Sequence, residues 1–221
     1  MTGFLAALAI LAAERHRRLH GAGQLVELSL LDVGLALTGH LGLIGEALVV
    51  AEPRGRFGND VYGTFGRDFG TRDGRRVMVL ALTSRQWSNL VAATGLAGDF
   101  SALAARVGAD FRLEGSRWIH RKPLFELLES WLSERDLAEI RELFDKHDVL
   151  WGPYQTVKQL VSEDPRASTD NPMFERVEHP GLGRFLTAGS PIRFGDTARV
   201  PPRPAPALGE HTADVLRDFG L

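Results

Sequence analysis

The sequence predicts an α/β protein with two apolar helices at its start and a compact α/β unit after a short linker. Three observations point there. Residues 2–19 and 31–50 are apolar runs of helical character, and Gln24 to Leu30 between them alternates apolar with polar residues. Composition then shifts at Glu52-Pro53-Arg54-Gly55-Arg56, a basic stretch marked by proline and glycine. Beyond it a glycine-rich segment feeds the strand-like run 76–82, and several amphipathic helices follow.

Residues 2–19 are rich in Ala and Leu, turn basic at Arg15-His16-Arg17-Arg18, and stop at Gly21-Ala22-Gly23. Basic residues suit the negative end of a helix dipole, and glycine suits the left-handed residue that follows it. Gln24–Leu30 reads as a strand. Residues 31–50 read as one helix in which Gly34, Gly39, Gly42 and Gly45 allow close packing, at about 1 kcal/mol each relative to Ala.

The stretch GNDVYGTFGRDFGTRDG, residues 58–74, holds five glycines. It has neither G-x-G-x-x-G opening a helix nor G-x-x-x-x-G-K-[ST], and it leads into a strand, so it offers no helix N-terminus to a phosphate. Asp73-Gly74 reads as a turn between two strands. Helices are expected from Ser84 to Thr94, with Ser84 as cap, and at 100–107, 122–132 and 134–146. Asp148 to Tyr154 reads as extended. Ser162 to Pro165, Asp170 to Pro172 and Pro180 to Gly183 mark turns, 184–188 a short strand, 199–206 an extended proline-bearing segment, and 210–219 a last helix.

The chain has 221 residues, no cysteine and a net charge of −2, with 44% hydrophobic and 24% charged residues. That is an ordinary globular composition. It gives no electrostatic case for nucleic acid or an anionic membrane, and it excludes thiolate catalysis and Cys-ligated zinc. The apolar start lacks a basic lead-in and is too short to span a bilayer.

His16 and His20 share a helix face but lack an acidic partner, so no metal site is expected. His40 reads as a hydrogen-bonded core residue, His120 as surface, and His147 and His179 as residues without a partner. No G-x-S-x-G elbow is present. Arg67, on the glycine stretch, suits a carboxylate or phosphate as well as it suits a surface ion pair.

Three stretches resemble one family. They are Thr2-Gly3-Phe4-Leu5-Ala6-Ala7-Leu8 through Gly21-Ala22-Gly23-Gln24-Leu25-Val26-Glu27-Leu28-Ser29-Leu30-Leu31-Asp32; Thr71-Arg72-Asp73-Gly74-Arg75 with Trp87; and His179-Pro180-Gly181 through Pro204-Ala205-Pro206-Ala207-Leu208-Gly209-Glu210-His211-Thr212. In that order they are similar to the signatures of class III CoA-transferases. The segment from Gly58 to Phe69 is most similar to the branch that isomerises 2-methylfumaryl-CoA (mesaconyl-CoA).

The resemblance implies segments of a large Rossmann-like domain (residues 1–52), a linker (53–59), a small α/β domain (60–155) and an extended return segment (156–221). It implies interlocked homodimers in the cytoplasm, an acyl-CoA substrate, and no permanently bound cofactor, coenzyme A entering as part of the substrate. It also implies a glycine-rich loop that closes over the reacting acyl group, with Asn59, Tyr62, Gly63, Gly66 and Arg67 as candidate substrate-loop residues. Members of the family use an aspartate nucleophile shortly before the position matching Thr2-Gly3. The chain is therefore expected to be the C-terminal portion of such an enzyme, inactive alone. The rival readings are an α-methylacyl-CoA racemase, whose expected acid is replaced by Thr83, and a non-catalytic assembly subunit paired with a separate N-terminal chain.

Overall fold

The computed structural model describes residues 1–220, which fall into two compact units, Met1–Phe57 and the remainder from Gly58 on. The first unit is helical. Helix α1 (Thr2–His20) ends where Gly21, at φ 74°, donates its backbone N–H to the Arg17 carbonyl. Glu14 pairs with Arg17 and Arg18 one turn on, and these hydrogen bonds hold its carboxyl pKa at about 2. Arg54 pairs with Glu46.

The strand expected at 24–30 is not formed. Residues 24–29 are irregular and pair with no strand, so their backbone has no ladder. Ser29 ends the segment as a helix cap, its Oγ accepting from the Asp32 N–H at 3.2 Å. The single helix expected at 31–50 is two, α2 (Leu30–His40) and α3 (Leu43–Val49), bent by 62°. Gly42 makes the break at φ 77°, a conformation only glycine adopts without strain. His40 is exposed, not a core residue. Among the buried apolar side chains only Val33 belongs to this unit, while Phe4, Leu8, Ile10, Leu11 and Leu48 all face solvent. No single helix among the described residues is long and apolar enough to cross a membrane.

The second unit holds the core. Strands β1 (Phe65–Gly70), β2 (Arg76–Ala81) and β3 (Leu150–Tyr154) form an antiparallel sheet with β2 central. Phe65 opposes Ala81, Arg67 opposes Val79 and Phe69 opposes Val77, so these six positions share one face. Helices α4 (Ser84–Thr94), α5 (Ala97–Val107), α6 (Glu114–Ile119), α7 (Arg121–Ser133) and α8 (Leu137–Lys146) lie between β2 and β3 in the chain. Leu90, Leu124, Leu128, Leu132, Ile140 and Phe144 bury completely with Phe65, Phe69, Val77 and Val79.

Local chemistry sets the helix starts. Thr83, not Ser84, caps α4: its hydroxyl accepts from the Gln86 N–H, and the Gln86 side chain accepts from the Thr83 N–H. Asp136 and Glu139 make the same reciprocal pair at α8. After α8, Asp148 sits at φ 52°, the only non-glycine residue with positive φ among those described. The next N–H, from Val149, returns to the Phe144 carbonyl, as glycine-terminated helices do. Asp148→Gly should therefore raise the stability of this unit by about 0.5–1 kcal/mol, since the Arg85 pair it forfeits is largely exposed. A urea midpoint that falls would count against this account of the cap.

The chain continues through α9 (Val157–Glu163), a 3-10 turn at Pro165–Ala167 and a two-stranded ribbon, β4 (Phe174–His179) with β5 (Gly183–Ala188). His179 has partners after all: it is buried, its ring stacks 3.9 Å from Phe185, and its Nε2 lies 2.9 Å from Thr187 Oγ1. Residues 199–206 are irregular, and α10 (Thr212–Asp218) closes the chain.

Candidate functional site

The glycine-rich stretch is three structures in sequence: a turn at 58–64, strand β1, and a hairpin turn at 71–75. Both turns are tied to helices. In the first, Asp60 accepts from Arg121 Nε at 3.1 Å, and both partners are largely buried. The Arg121 guanidinium also lies 3.8 Å over the Trp118 ring, against which Tyr62 packs at 5.0 Å. Val61 donates its N–H to the Gly66 carbonyl, and Thr64 Oγ1 donates to the Ala81 carbonyl. In the second, Gly74 at φ 74° closes the turn, as Asp73-Gly74 suggested. Arg72 reaches Asp136, Glu139 and the Glu134 carbonyl, and Asp73 accepts from the Leu137 N–H.

The candidate residues divide by what already occupies them. Asn59 donates from Nδ2 to Asp68 Oδ1 at 2.9 Å. Asp68 is buried and also accepts from Arg76 Nε at 2.7 Å. Burial pushes the Asp68 carboxyl up, but the bonds from Asn59 and Arg76 together outweigh it and hold it below the usual carboxylate range. Asn59 thus orients an aspartate that is not among the loop residues expected from sequence. Tyr62 is half exposed beside Trp118.

Gly63 and Gly66 serve the backbone in different ways. Gly63 lies at φ 83°, which lets the turn enter β1. Gly66 has an ordinary φ but no room: a Cβ there would meet Val61 Cγ2 at 3.0 Å and Leu80 Cγ at 3.3 Å. Val61 is β-branched and held by the turn, so it yields little. Gly66→Ala should cost about 1–3 kcal/mol, seen as a lower chemical-denaturation midpoint, whereas an unchanged midpoint would mean that the turn repacks freely.

Arg67 is the exceptional candidate. It occupies a core-facing position of β1, between Phe65 and Phe69, yet stays partly exposed. Its guanidinium lies 5.4 Å from the Phe69 ring centre and 5.2 Å from that of Phe125, and its Nε donates at 3.3 Å to the Asp68 carbonyl. None of the ion pairs among the described residues includes it. A guanidinium on two arene faces keeps N–H donors for a planar carboxylate.

Thr83, at the place where a racemase would carry its acid, spends its hydroxyl on the α4 cap. Among the described residues no group of three or more His, Asp or Glu side chains is arranged to hold a metal ion.

The CoA-transferase family III profile matches residues 1–212. The chain is 53% identical over 216 residues to 2-methylfumaryl-CoA isomerase from Chloroflexus aurantiacus, a match covering 98% of this chain and 53% of that protein. It is 32% identical over 109 residues to a formyl-CoA:oxalate CoA-transferase from Rhodopseudomonas palustris, covering 49% of this chain and 25% of that protein. The crystal structure of the hypothetical protein Rv3272 from Mycobacterium tuberculosis has the same fold, with a TM-score of 0.67 at 23% identity over 96% of this chain and 52% of that one. The chain thus spans about half the length of the relatives that it matches from end to end. With its mixed helices and small antiparallel sheets, the chain belongs to CoA-transferase family III.

Proposed function

We propose that this chain is the C-terminal portion of an enzyme that moves coenzyme A from the C1 to the C4 carboxyl of 2-methylfumarate. The reading is supported by 53% identity to a 2-methylfumaryl-CoA isomerase along 98% of the chain. The structural observation that carries it is Arg67, a half-buried cation on two phenyl rings with no carboxylate of its own. A dicarboxylate bound as its monothioester has one free carboxylate, and Arg67 receives it. Asn59, Tyr62, Gly63 and Gly66 form the adjoining wall, with Asn59 acting through Asp68.

The nucleophile is an aspartate in a segment outside these residues. Its carboxylate attacks the C1 thioester carbonyl and expels the CoA thiolate, leaving an anhydride. The thiolate attacks the aspartyl carbonyl of that anhydride, which gives an aspartyl-CoA thioester and frees the C1 carboxylate. The C4 carboxylate then repeats the two steps in reverse and leaves with the CoA. No oxidant, metal or outside acyl acceptor enters. Water must be kept from the anhydride throughout, and an ordered wall beside Arg67 serves that end. In the same proposal residues 1–52 and the return segment 156–221 belong to a large domain, 53–59 link it to a small domain at 60–155, and the enzyme works as a cytoplasmic homodimer.

The test is chromatography of 2-methylfumaryl-C1-CoA incubated with a polypeptide that carries this chain and its N-terminal half. The C4 ester should appear without net release of CoA. Arg67→Met should lower kcat/KM about 100-fold, with Arg67→Lys recovering only part of it. Equal activity of Arg67→Met and wild type would remove Arg67 from the site. Deuterium exchange at the α-carbon of a saturated 2-methylacyl-CoA, with no CoA migration, would favour the racemase reading. A requirement for a separately encoded N-terminal chain would favour the assembly-subunit reading.

A further inference from the structure

A cavity of about 650 Å³ opens between Asn171-Pro172 and residues 193–199, away from the glycine stretch in sequence and lined by other residues. That volume is in the range of small-molecule sites. The segment that forms it is closed at its neck. Gly189 donates its N–H to the Met173 carbonyl at 2.7 Å, and a Cβ on Gly189 would lie 3.3 Å from that same oxygen and 3.6 Å from Pro202 Cδ. Residues 190–199 therefore leave and re-enter at one tight crossing, the geometry of an Ω-loop.

Two arginines, Arg193 and Arg199, line this cavity. Neither takes part in a hydrogen bond or ion pair among those found in the described residues, although twelve other arginines are ion-paired. The Arg199 Nε is shut off from solvent with no acceptor. With neither guanidinium committed to a partner, their outer N–H groups remain to meet an anion in the cavity. The other lining groups narrow its nature. Phe194 offers an apolar side chain, and Asp196 and Thr197 offer oxygen atoms. Asn171 is not available, since its Nδ2 donates to the Arg166 carbonyl and its Oδ1 accepts from the Met173 N–H.

We infer that the open cavity lined by residues 193–199 binds a phosphate ester of a hydroxyl-bearing ring compound, such as a nucleotide. Arg193 and Arg199 hold the phosphate, Asp196 accepts from ring hydroxyls, and Phe194 packs against the ring. Two guanidinium groups match the double charge of a phosphate monoester better than the single charge of a carboxylate. The inference does not rest on the acyl-transfer reading, and its test involves no turnover.

Isothermal titration of the purified protein with adenosine 5′-monophosphate is the direct measurement, with inorganic phosphate and succinate as comparison ligands. Saturable binding is expected that weakens as salt is raised. Arg193→Ala and Arg199→Ala should each weaken it at least tenfold, while Arg203→Ala, an exposed arginine outside the cavity, should leave it unchanged. Gly189→Ala should weaken it too, by opening the neck. No binding at millimolar ligand, or binding that both arginine variants retain, would overturn the inference. Inorganic phosphate binding as tightly as the nucleotide would overturn the role of Phe194 and Asp196. Succinate binding as tightly would overturn the assignment to phosphate.

Discussion

Replacing Arg117 by alanine should cost the second unit about 3–4 kcal/mol of stability, more than any charge on its surface. Arg117 is wholly buried on α6 and has no carboxylate partner. It donates instead to three backbone carbonyls, from Nη1 to Phe111 at 2.8 Å and Arg112 at 3.0 Å, and from Nη2 to Leu82 at 2.9 Å. Its guanidinium also lies 5.6 Å from the Trp87 ring centre. Burial pushes its pKa down, opposed by the charge of Glu114, yet an arginine remains charged under any ordinary condition.

Alanine would orphan the Leu82 and Phe111 carbonyls, where β2 hands over to α4 and where the chain approaches α6, while the Arg112 carbonyl would keep its bond from the Ser84 hydroxyl. The cost is less than three full charge-assisted hydrogen bonds because the buried charge also disappears. Arg117→Met restores volume but no donors and should recover only part of the loss. Arg85→Ala breaks a pair whose partners are about four-fifths exposed and should change stability by less than about 0.5 kcal/mol. If Arg117→Ala and Arg85→Ala unfold at the same urea concentration, the carbonyl clamp is not holding these segments together.

Phe65→Ala should be comparably severe, at about 3–5 kcal/mol. Phe65 opens β1 directly after the first turn and is fully buried. Its ring meets Trp87 edge-on at 5.3 Å and Phe125 at 5.1 Å, so truncation leaves a cavity between α4 and α7 and removes two aromatic contacts. The melting midpoint of this unit should fall by about 10 °C. Phe65→Leu, which refills most of the space, should lose less than half as much. Phe125 is also one of the two rings beneath Arg67, so in an active enzyme Phe65→Leu should disturb substrate affinity more than its stability loss suggests.

Much of the second unit was legible in the sequence because its elements are long and its periodicity clean. The apolar stripes of α4, α7 and α8, the strand expected at 76–82 and found at 76–81, and the Asp73-Gly74 turn follow from spacing and turn chemistry alone. What failed is equally physical. Gln24–Leu30 has the alternation of a strand but no strand to pair with, and alternation does not report pairing. The break at Gly42 was hidden because glycine inside an apolar run reads as packing as easily as it reads as a cap. At six residues α6 is too short to show a period, and β4, Phe-Glu-Arg-Val-Glu-His, belongs to a ribbon that buries one face only in part.

At the candidate site the sequence exposed the glycines and Arg67 but not the division of labour among them. Asn59 and Asp68 lie nine positions apart, and only the fold of the turn onto β1 makes them partners. Asp60 and Arg121 are separated by sixty-one positions, a pairing that no local pattern announces. Arg117 carried no signal at all, since an arginine amid Glu-Gly-Ser-Arg-Trp-Ile reads as surface.

The anchoring of the first turn bears on how any enclosure of a substrate would proceed. Asp60 is tied to Arg121, Tyr62 to Trp118 and Asn59 to Asp68, so three side chains would have to let go before the turn could swing alone. A segment fastened this way has no hinge of its own. It is bound to β1 and to the α6–α7 pair together, so access to Arg67 is governed by what approaches that fixed edge rather than by the pliancy of glycine.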